Sequence, residues 1–164
     1  MIGDEELMKY ALNYASAGLS YGDLPIGCAI SVNGMVIGFG HNRNKRSRIE
    51  HAEMIALKLA FSDGLLKYCG TDGVVLATTL EPCIMCYSAA IISGISRIVY
   101  GLRDPFASGP DHVRMIAKHD ARLPIVTGGV LVDEASTLLR KWLTSNPDDS
   151  RCEFVTQLVE RNAE

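Results

Sequence analysis

Gly27-Cys28-Ala29-Ile30-Ser31-Val32-Asn33-Gly34-Met35-Val36-Ile37-Gly38-Phe39-Gly40 decides the architecture of this chain. Two mostly apolar runs flank Asn33-Gly34, and both turn residues accept the positive φ that a type I′ turn needs. The stretch therefore predicts an antiparallel hairpin, Gly27–Val32 against Met35–Gly40. Before it, Leu7, Met8, Ala11, Leu12 and Ala15 recur at spacings of three and four, marking one face of a helix over Asp4–Ala17. Asp4 is its expected cap and Gly18 its expected stop. After the hairpin, the polar stretch His41–Glu50 leads into a second helix, His51–Phe61, which Asp63-Gly64 should end, with loop up to Gly73. Val74–Thr79, β-branched and apolar, reads as a buried central strand. The alternation continues with helix Cys83–Ser93, strand Arg97–Tyr100, helix Asp111–His119 and strand Ile125–Thr127. A helix capped by Asp133 and a short terminal helix bearing Phe154, Val155, Leu158 and Val159 complete the chain. A hairpin followed by alternating helix and strand implies the α/β class. The expected form is a three-layer α/β/α sandwich, a mixed central sheet with helices on both faces.

Composition narrows the classes. A chain of 164 residues, 48% hydrophobic and 21% charged, fits one core that hides roughly 70% of the unfolded surface. The formal charge of -3 lacks the basic field of a dedicated nucleic-acid binder, which favours a small ligand. No apolar stretch approaches the length of a membrane span. Asp4, Glu5 and Glu6 carry the wrong charge for a leader peptide, so a cytoplasmic location and no membrane partner are expected. Five cysteines, odd in number and scattered except for Cys83 and Cys86, argue against a disulfide scaffold.

Two short motifs carry the chemistry. His51-Ala52-Glu53 opens a helix, and Pro82-Cys83-Ile84-Met85-Cys86 joins a strand to a helix. Residues three apart on a helix share a side, so the two sulfurs lie about one turn from each other. Both sit where unpaired N–H groups and the helix dipole favour thiolate. Pro82 costs nothing there because no intrahelical donor is needed. His51 can complete a Cys₂His set suited to Zn²⁺. With no obvious fourth ligand, the set matches a catalytic site, which keeps a position for water. Glu53 can then serve as proton carrier. Other readings are a redox pair, half of a zinc knuckle, or a closed structural site using Cys28, Cys69 or His41. A non-catalytic, zinc-stabilised interaction domain would follow from the last.

The two motifs together resemble the zinc-dependent cytidine and deoxycytidylate deaminase superfamily, whose signature is H-x-E…P-C-x-x-C. Asp23-Leu24-Pro25-Ile26-Gly27, Gly40-His41-Asn42, Thr79-Leu80-Glu81-Pro82-Cys83 and Gly94–Gly101 are similar to blocks of one branch. That branch holds tRNA adenosine deaminase, guanine deaminase and fungal cytosine deaminase, and the resemblance covers about residues 4–145. It implies a cytidine deaminase-like fold, with residues 1–147 as the deaminase domain. Residues 148–164 then form a helical tail packed on the same domain or on a partner subunit. It implies one Zn²⁺ per subunit on His51, Cys83 and Cys86, with Glu53 as proton shuttle. Asn42, the backbone of Ala52, the Glu81 carbonyl and Asp104 would contact substrate, and a homodimer is expected. Two departures bear on substrate. Relatives often read Asp-Pro-Thr-Ala before His-Ala-Glu, where this chain has Ser47-Arg48-Ile49-Glu50. Residues 146–164 hold five acids against two bases, where tRNA deaminases tend to end in a basic helix. A free base or nucleoside, guanine- or cytosine-like, is therefore favoured over tRNA adenosine.

Four positive charges, Arg43, Lys45, Arg46 and Arg48, lie within six residues and are able to hold phosphates. No aromatic residue interleaves them, so a solvated loop is the simpler reading. His112 and His119 are read as surface residues rather than a second metal pair. Cys28 and Cys69 are read as small buried or half-buried groups, and Trp142 as core or dimer contact. The Phe154–Val159 helix should pack on its own subunit, with a lid or a swapped helix as the alternative.

Overall fold

A computed structural model describes residues 2–62, 73–116 and 123–163. In chain order the elements are α1 (Asp4–Leu19), β1 (Gly27–Val32), β2 (Met35–His41), α2 (Ala52–Ser62) and β3 (Val74–Leu80). They continue with α3 (Ile84–Ile92), β4 (Arg97–Leu102), α4 (Gly109–Ile116), β5 (Ile125–Thr127), α5 (Val132–Ser145) and α6 (Cys152–Arg161). The strands form one sheet in the order β2-β1-β3-β4-β5. β1 is antiparallel to β2 and β3, whereas β3, β4 and β5 run parallel. The sheet is mixed, as the hairpin followed by crossovers required. Asn33 (φ 51°) and Gly34 (φ 84°) make the turn with the positive dihedrals their identities allow. Ile30 pairs with Gly38 and Ser31 with Val36, so Ile37 is the extra residue of a bulge.

Packing on the sheet builds three apolar clusters. Cys28, Ile30, Val32, Val74, Leu76 and Ile98 face Ala52, Ala56 and Leu57 of α2 and Tyr87 and Ala90 of α3. Ala29, Ala77 and Val99 face Leu7, Met8 and Ala11 of α1. Leu80 and Leu102, toward the ends of β3 and β4, pack on Leu139 and Trp142 of α5 and on Val155, Leu158 and Val159 of α6. Each of those buried aliphatic side chains contributes about 1.5–3 kcal/mol, which secures α6 to its own chain. Trp142 is core, fully buried, and its Nε1 donates to the Gly22 carbonyl at 3.2 Å.

Several helix ends differ from expectation. Gly3, not Asp4, precedes α1, because the Asp4 carboxylate is engaged by Arg97 of β4 in a two-pronged ion pair. The helix passes Gly18 and ends at Leu19; a Cβ on Gly18 would lie 3.4 Å from His41 Nδ1. α5 begins after Leu131 in a left-handed conformation (φ 53°), and Asp133 sits in its first turn with no capping bond. Asp133 still favours the helix there through the dipole. α4 starts at Gly109, two residues earlier than the sequence suggests. The expected stop at Asp63-Gly64, Cys69 and His119 lie outside the described residues.

Close approach of helix and sheet depends on bare backbone. A Cβ on Gly27 would lie 2.0 Å from the Ala11 carbonyl oxygen of α1. Gly27→Ala should therefore push α1 off β1 at a cost of about 1–3 kcal/mol. At about 2–4 °C per kcal/mol for a chain of this size, thermal denaturation should show Tm lowered by several degrees.

Candidate metal centre and active site

The first turns of α2 and α3 meet above the sheet. His51 immediately precedes α2 and its carbonyl accepts the Ile55 N–H at 3.1 Å. Cys83 occupies the cap position of α3, accepting the Tyr87 N–H at 2.8 Å, and is pinned by a β-bridge to Ser108. Cys86 follows in the first turn, 1% exposed. These starts place His51 Nδ1 3.7 Å from Cys83 Sγ and 3.5 Å from Cys86 Sγ, with 3.7 Å between the sulfurs. Tetrahedral zinc, with bonds of about 2.3 Å to sulfur and 2.0–2.1 Å to nitrogen, needs S···S near ~3.8 Å and N···S near ~3.6 Å. The triangle fits. The hydrogen bond from Cys86 holds the Cys83 thiol down to about 4, and the same bond pushes the Cys86 thiol up. His51 is raised chiefly by its hydrogen bond with Cys83. A thiolate, a second sulfur and an imidazole thus converge on one point, a donor set for a borderline-soft cation.

Glu53 lies one residue into the same helix turn, 3% exposed. Burial raises its carboxyl pKa, and Thr78 of β3 donates a hydroxyl hydrogen bond to its Oε1 at 2.8 Å. Beside it is a cavity of about 180 Å³ whose lining includes Asn42, Asn44, His51, Glu53, Cys83 and Asp104. Leu24, Ile26 and Leu80 supply apolar wall, and Phe154 reaches in from α6.

Residues 1–102 match the cytidine and deoxycytidylate deaminase zinc-binding region. The chain belongs to that family. It is 36% identical over 110 residues to the tRNA-specific adenosine deaminase of Bacillus subtilis, covering 64% of this chain and 65% of that one. It is 34% identical over 137 residues, 81% of this chain, to a tRNA(Ile)-lysidine synthase of Deinococcus deserti, of which it spans only 25%. The chain thus spans less than two thirds of the length of these two relatives. Among solved structures, guanine deaminase from Nitrosomonas europaea superposes with a TM-score of 0.70 at 29% identity, over 88% of this chain and 86% of that one. A structure from work on A-to-I editing by tRNA:A34 deaminases gives 0.68 at 30% identity, over 80% and 97%. The zinc site of the family is His51, Cys83 and Cys86, consistent with one ion per chain.

The remaining expected residues separate by role. Asn42 is 2% exposed and lines the cavity, and its buried Oδ1 has no hydrogen-bond partner in the structure. The Ala52 side chain is buried in the core and does not line the cavity; the expectation concerned its backbone. Glu81 lines the cavity, and its carboxylate accepts the Ser108 hydroxyl at 3.0 Å and the Asp104 N–H at 3.1 Å. Asp104 lines it as well, but its Oδ1 accepts the N–H groups of Phe106 and Ala107 and so shapes the turn. His41 stacks on Tyr21, and Cys28 is buried in the core, so neither joins the metal-ligand group found among the described residues. Two neighbours lie outside the sequence reading: Thr78 and Asn44. The alternation Val74, Leu76, Thr78 already placed Thr78 on the face that carries α2, a signal available in the sequence. Asn44 carried none, whereas Phe154 belongs to the helix for which a lid is the alternative reading.

Substitution Cys83→Ala should leave the protein with well under one zinc per chain by elemental analysis, while the wild type holds one. Chelator treatment should remove the wild-type ion and zinc should restore it.

Proposed function

We propose that this protein is a hydrolytic deaminase that converts a ring amine of a free base or nucleoside, guanine- or cytosine-like, to a carbonyl with release of ammonia. The small cavity beside the ligand triad carries this reading. Its volume of about 180 Å³ lies below the roughly 300–1,000 Å³ of ordinary drug-sized pockets. Phe154 roofs it from α6, and Phe106 packs on Phe154 with ring centroids 5.8 Å apart. A single flat heterocycle suits that space better than a nucleotide held in a stem-loop.

His51, Cys83 and Cys86 would hold the zinc ion, which when bound would lower the pKa of a water toward neutrality. Glu53 would accept a proton from the attacking water and pass protons to a ring nitrogen and to the departing amine. Burial raises its carboxyl pKa above the ordinary value, which makes it a stronger proton acceptor than a solvated carboxylate. Thr78 fixes the orientation of the carboxylate through its hydrogen bond. The unpartnered Oδ1 of Asn42 accepts an N–H from the base, satisfying a buried acceptor that is costly to leave alone. Glu81 holds the 104–108 loop against the pocket and presents its own carbonyl. Leu24, Ile26 and Leu80 exclude water from the ring.

The second reading is tRNA adenosine deamination at the wobble position, favoured by the basic segment 43–48 beside the pocket and by the Bacillus subtilis relative. A cytoplasmic homodimer, with residues 1–147 as the catalytic domain and 148–164 as its tail, completes the proposal. Among the described residues no helix is long and apolar enough to cross a membrane. A non-catalytic zinc domain would require a fourth protein ligand, and among the described residues, which do not include Cys69, the donor group has three members.

Glu53→Gln keeps an acceptor for Thr78 but cannot carry the proton. It should retain full zinc while ammonia release falls by about 10²–10⁴-fold, as loss of general acid–base catalysis predicts. Near-normal turnover would refute the assigned role. An ammonia-release screen over free bases, nucleosides, nucleotides and an anticodon stem-loop should show turnover with a free base or nucleoside. Turnover of the stem-loop alone would establish the second reading.

A further inference from the structure

The loop between Asn42 and His51 has two faces. Asn42 and Asn44 line the catalytic cavity, whereas His41, Arg43, Lys45 and Arg46 line a separate concavity of about 490 Å³ on the outside. That concavity adjoins a second of about 560 Å³ with which it shares Tyr21, His41 and Arg43, and Lys58 lines the second. The aromatic groups absent from the basic segment arrive through the tertiary fold. Tyr21, from the turn before β1, stacks on His41 at 5.7 Å with the planes 5° apart, yet remains 68% exposed. Tyr14 of α1 stacks on Phe39 of β2 at 4.4 Å in the second concavity.

Asp23 also lines the first concavity, and the nearby acids have partners. Asp23 is buried and accepts the Lys45 backbone N–H at 2.9 Å. Asp149, which feels the Lys45 charge, is held by Arg151 at 2.7 Å. Arg46 meets Glu50 only at 3.8 Å on an exposed surface, a contact worth little. Among the described residues Arg43 has no carboxylate within ion-pairing distance. Cations beside an exposed, prestacked ring are the parts that hold a base and a phosphate together.

We propose that this outer cleft is a nucleotide-binding site distinct from the catalytic pocket, with a base stacked on Tyr21 and its phosphate held by Arg43, Lys45 and Arg46. The same chemistry is presented by a free nucleotide and by one unit of a single strand. The site does not depend on which amine the zinc pocket takes.

Calorimetry on the zinc-loaded protein tests it with UMP, uridine, inorganic phosphate and a ten-residue oligouridylate, since uracil has no ring amine to be hydrolysed. UMP should bind saturably, with uridine and phosphate each weaker by about tenfold or more, because each supplies one half of the contact. Tyr21→Ala and Arg43→Ala should each weaken UMP by about five- to fiftyfold, and Tyr21→Phe should restore binding. Asn42→Ala, altering the inner pocket, should leave UMP affinity unchanged. Zinc content and Tm show that each variant is folded. An oligouridylate more than about tenfold tighter than UMP, with affinity falling steeply in salt, assigns the cleft to a strand; equal affinity assigns it to a free nucleotide. The site is overturned if neither probe binds below about 1 mM. It is equally overturned if binding survives both Tyr21→Ala and Arg43→Ala, or vanishes in Asn42→Ala. Because none of these probes is deaminated, failure here leaves the deaminase reading standing, and failure of the ammonia assay leaves this one standing.

Discussion

The convergence of two helix starts on one point is the constraint on which the rest of the structure depends. His51 at the head of α2 and Cys83 and Cys86 at the head of α3 come within 3.7 Å of one another. That convergence depends on where the two helices begin. It is reached because both helices enter from the same end of the sheet and lie on the same face, over β1, β3 and β4. Small residues make this possible. Ala52, Ala56 and Ala60 line the inner side of α2, and Gly38 of β2 leaves no side chain between strand and helix, where a Cβ would sit 2.4 Å from the Ala56 carbonyl.

The same arrangement buries Glu53. A carboxylate taken out of water is unstable unless hydrogen-bonded, and the hydroxyl of Thr78 supplies a partner from the strand beneath. The environment that raises its pKa also strengthens it as a proton acceptor. Around it the cavity keeps one unsatisfied acceptor on Asn42 and another on Asn44. Native interiors rarely leave such groups unpaired, and here they border a space that a ligand can enter.

Much of the fold was legible in one dimension. Asn33-Gly34 dictated the turn, and the strand and helix periods dictated the layers. Errors gathered at helix ends, where competition from distant partners decides. Asp4 had the chemistry of a cap, but Arg97, distant in the chain, claims its carboxylate. Asp104 lines the cavity, and one of its oxygens also serves the turn at Phe106 and Ala107. The basic segment 43–48 looked like a solvated loop because its aromatic neighbours are contributed by α1, β2 and the turn at Tyr21. No window along the chain contains both.

By itself the sequence determined the metal chemistry, since donor types, their spacing and their places at helix starts are local properties. It also determined the order of strands and helices, because side-chain periodicity is local. Tertiary structure alone decided the size and roof of the pocket, through Phe154 returning from the far end of the chain. It alone decided which polar groups stay unpaired and which rings stand beside which cations. Those properties belong to pairs of residues far apart in sequence, and packing rather than propensity brings them together.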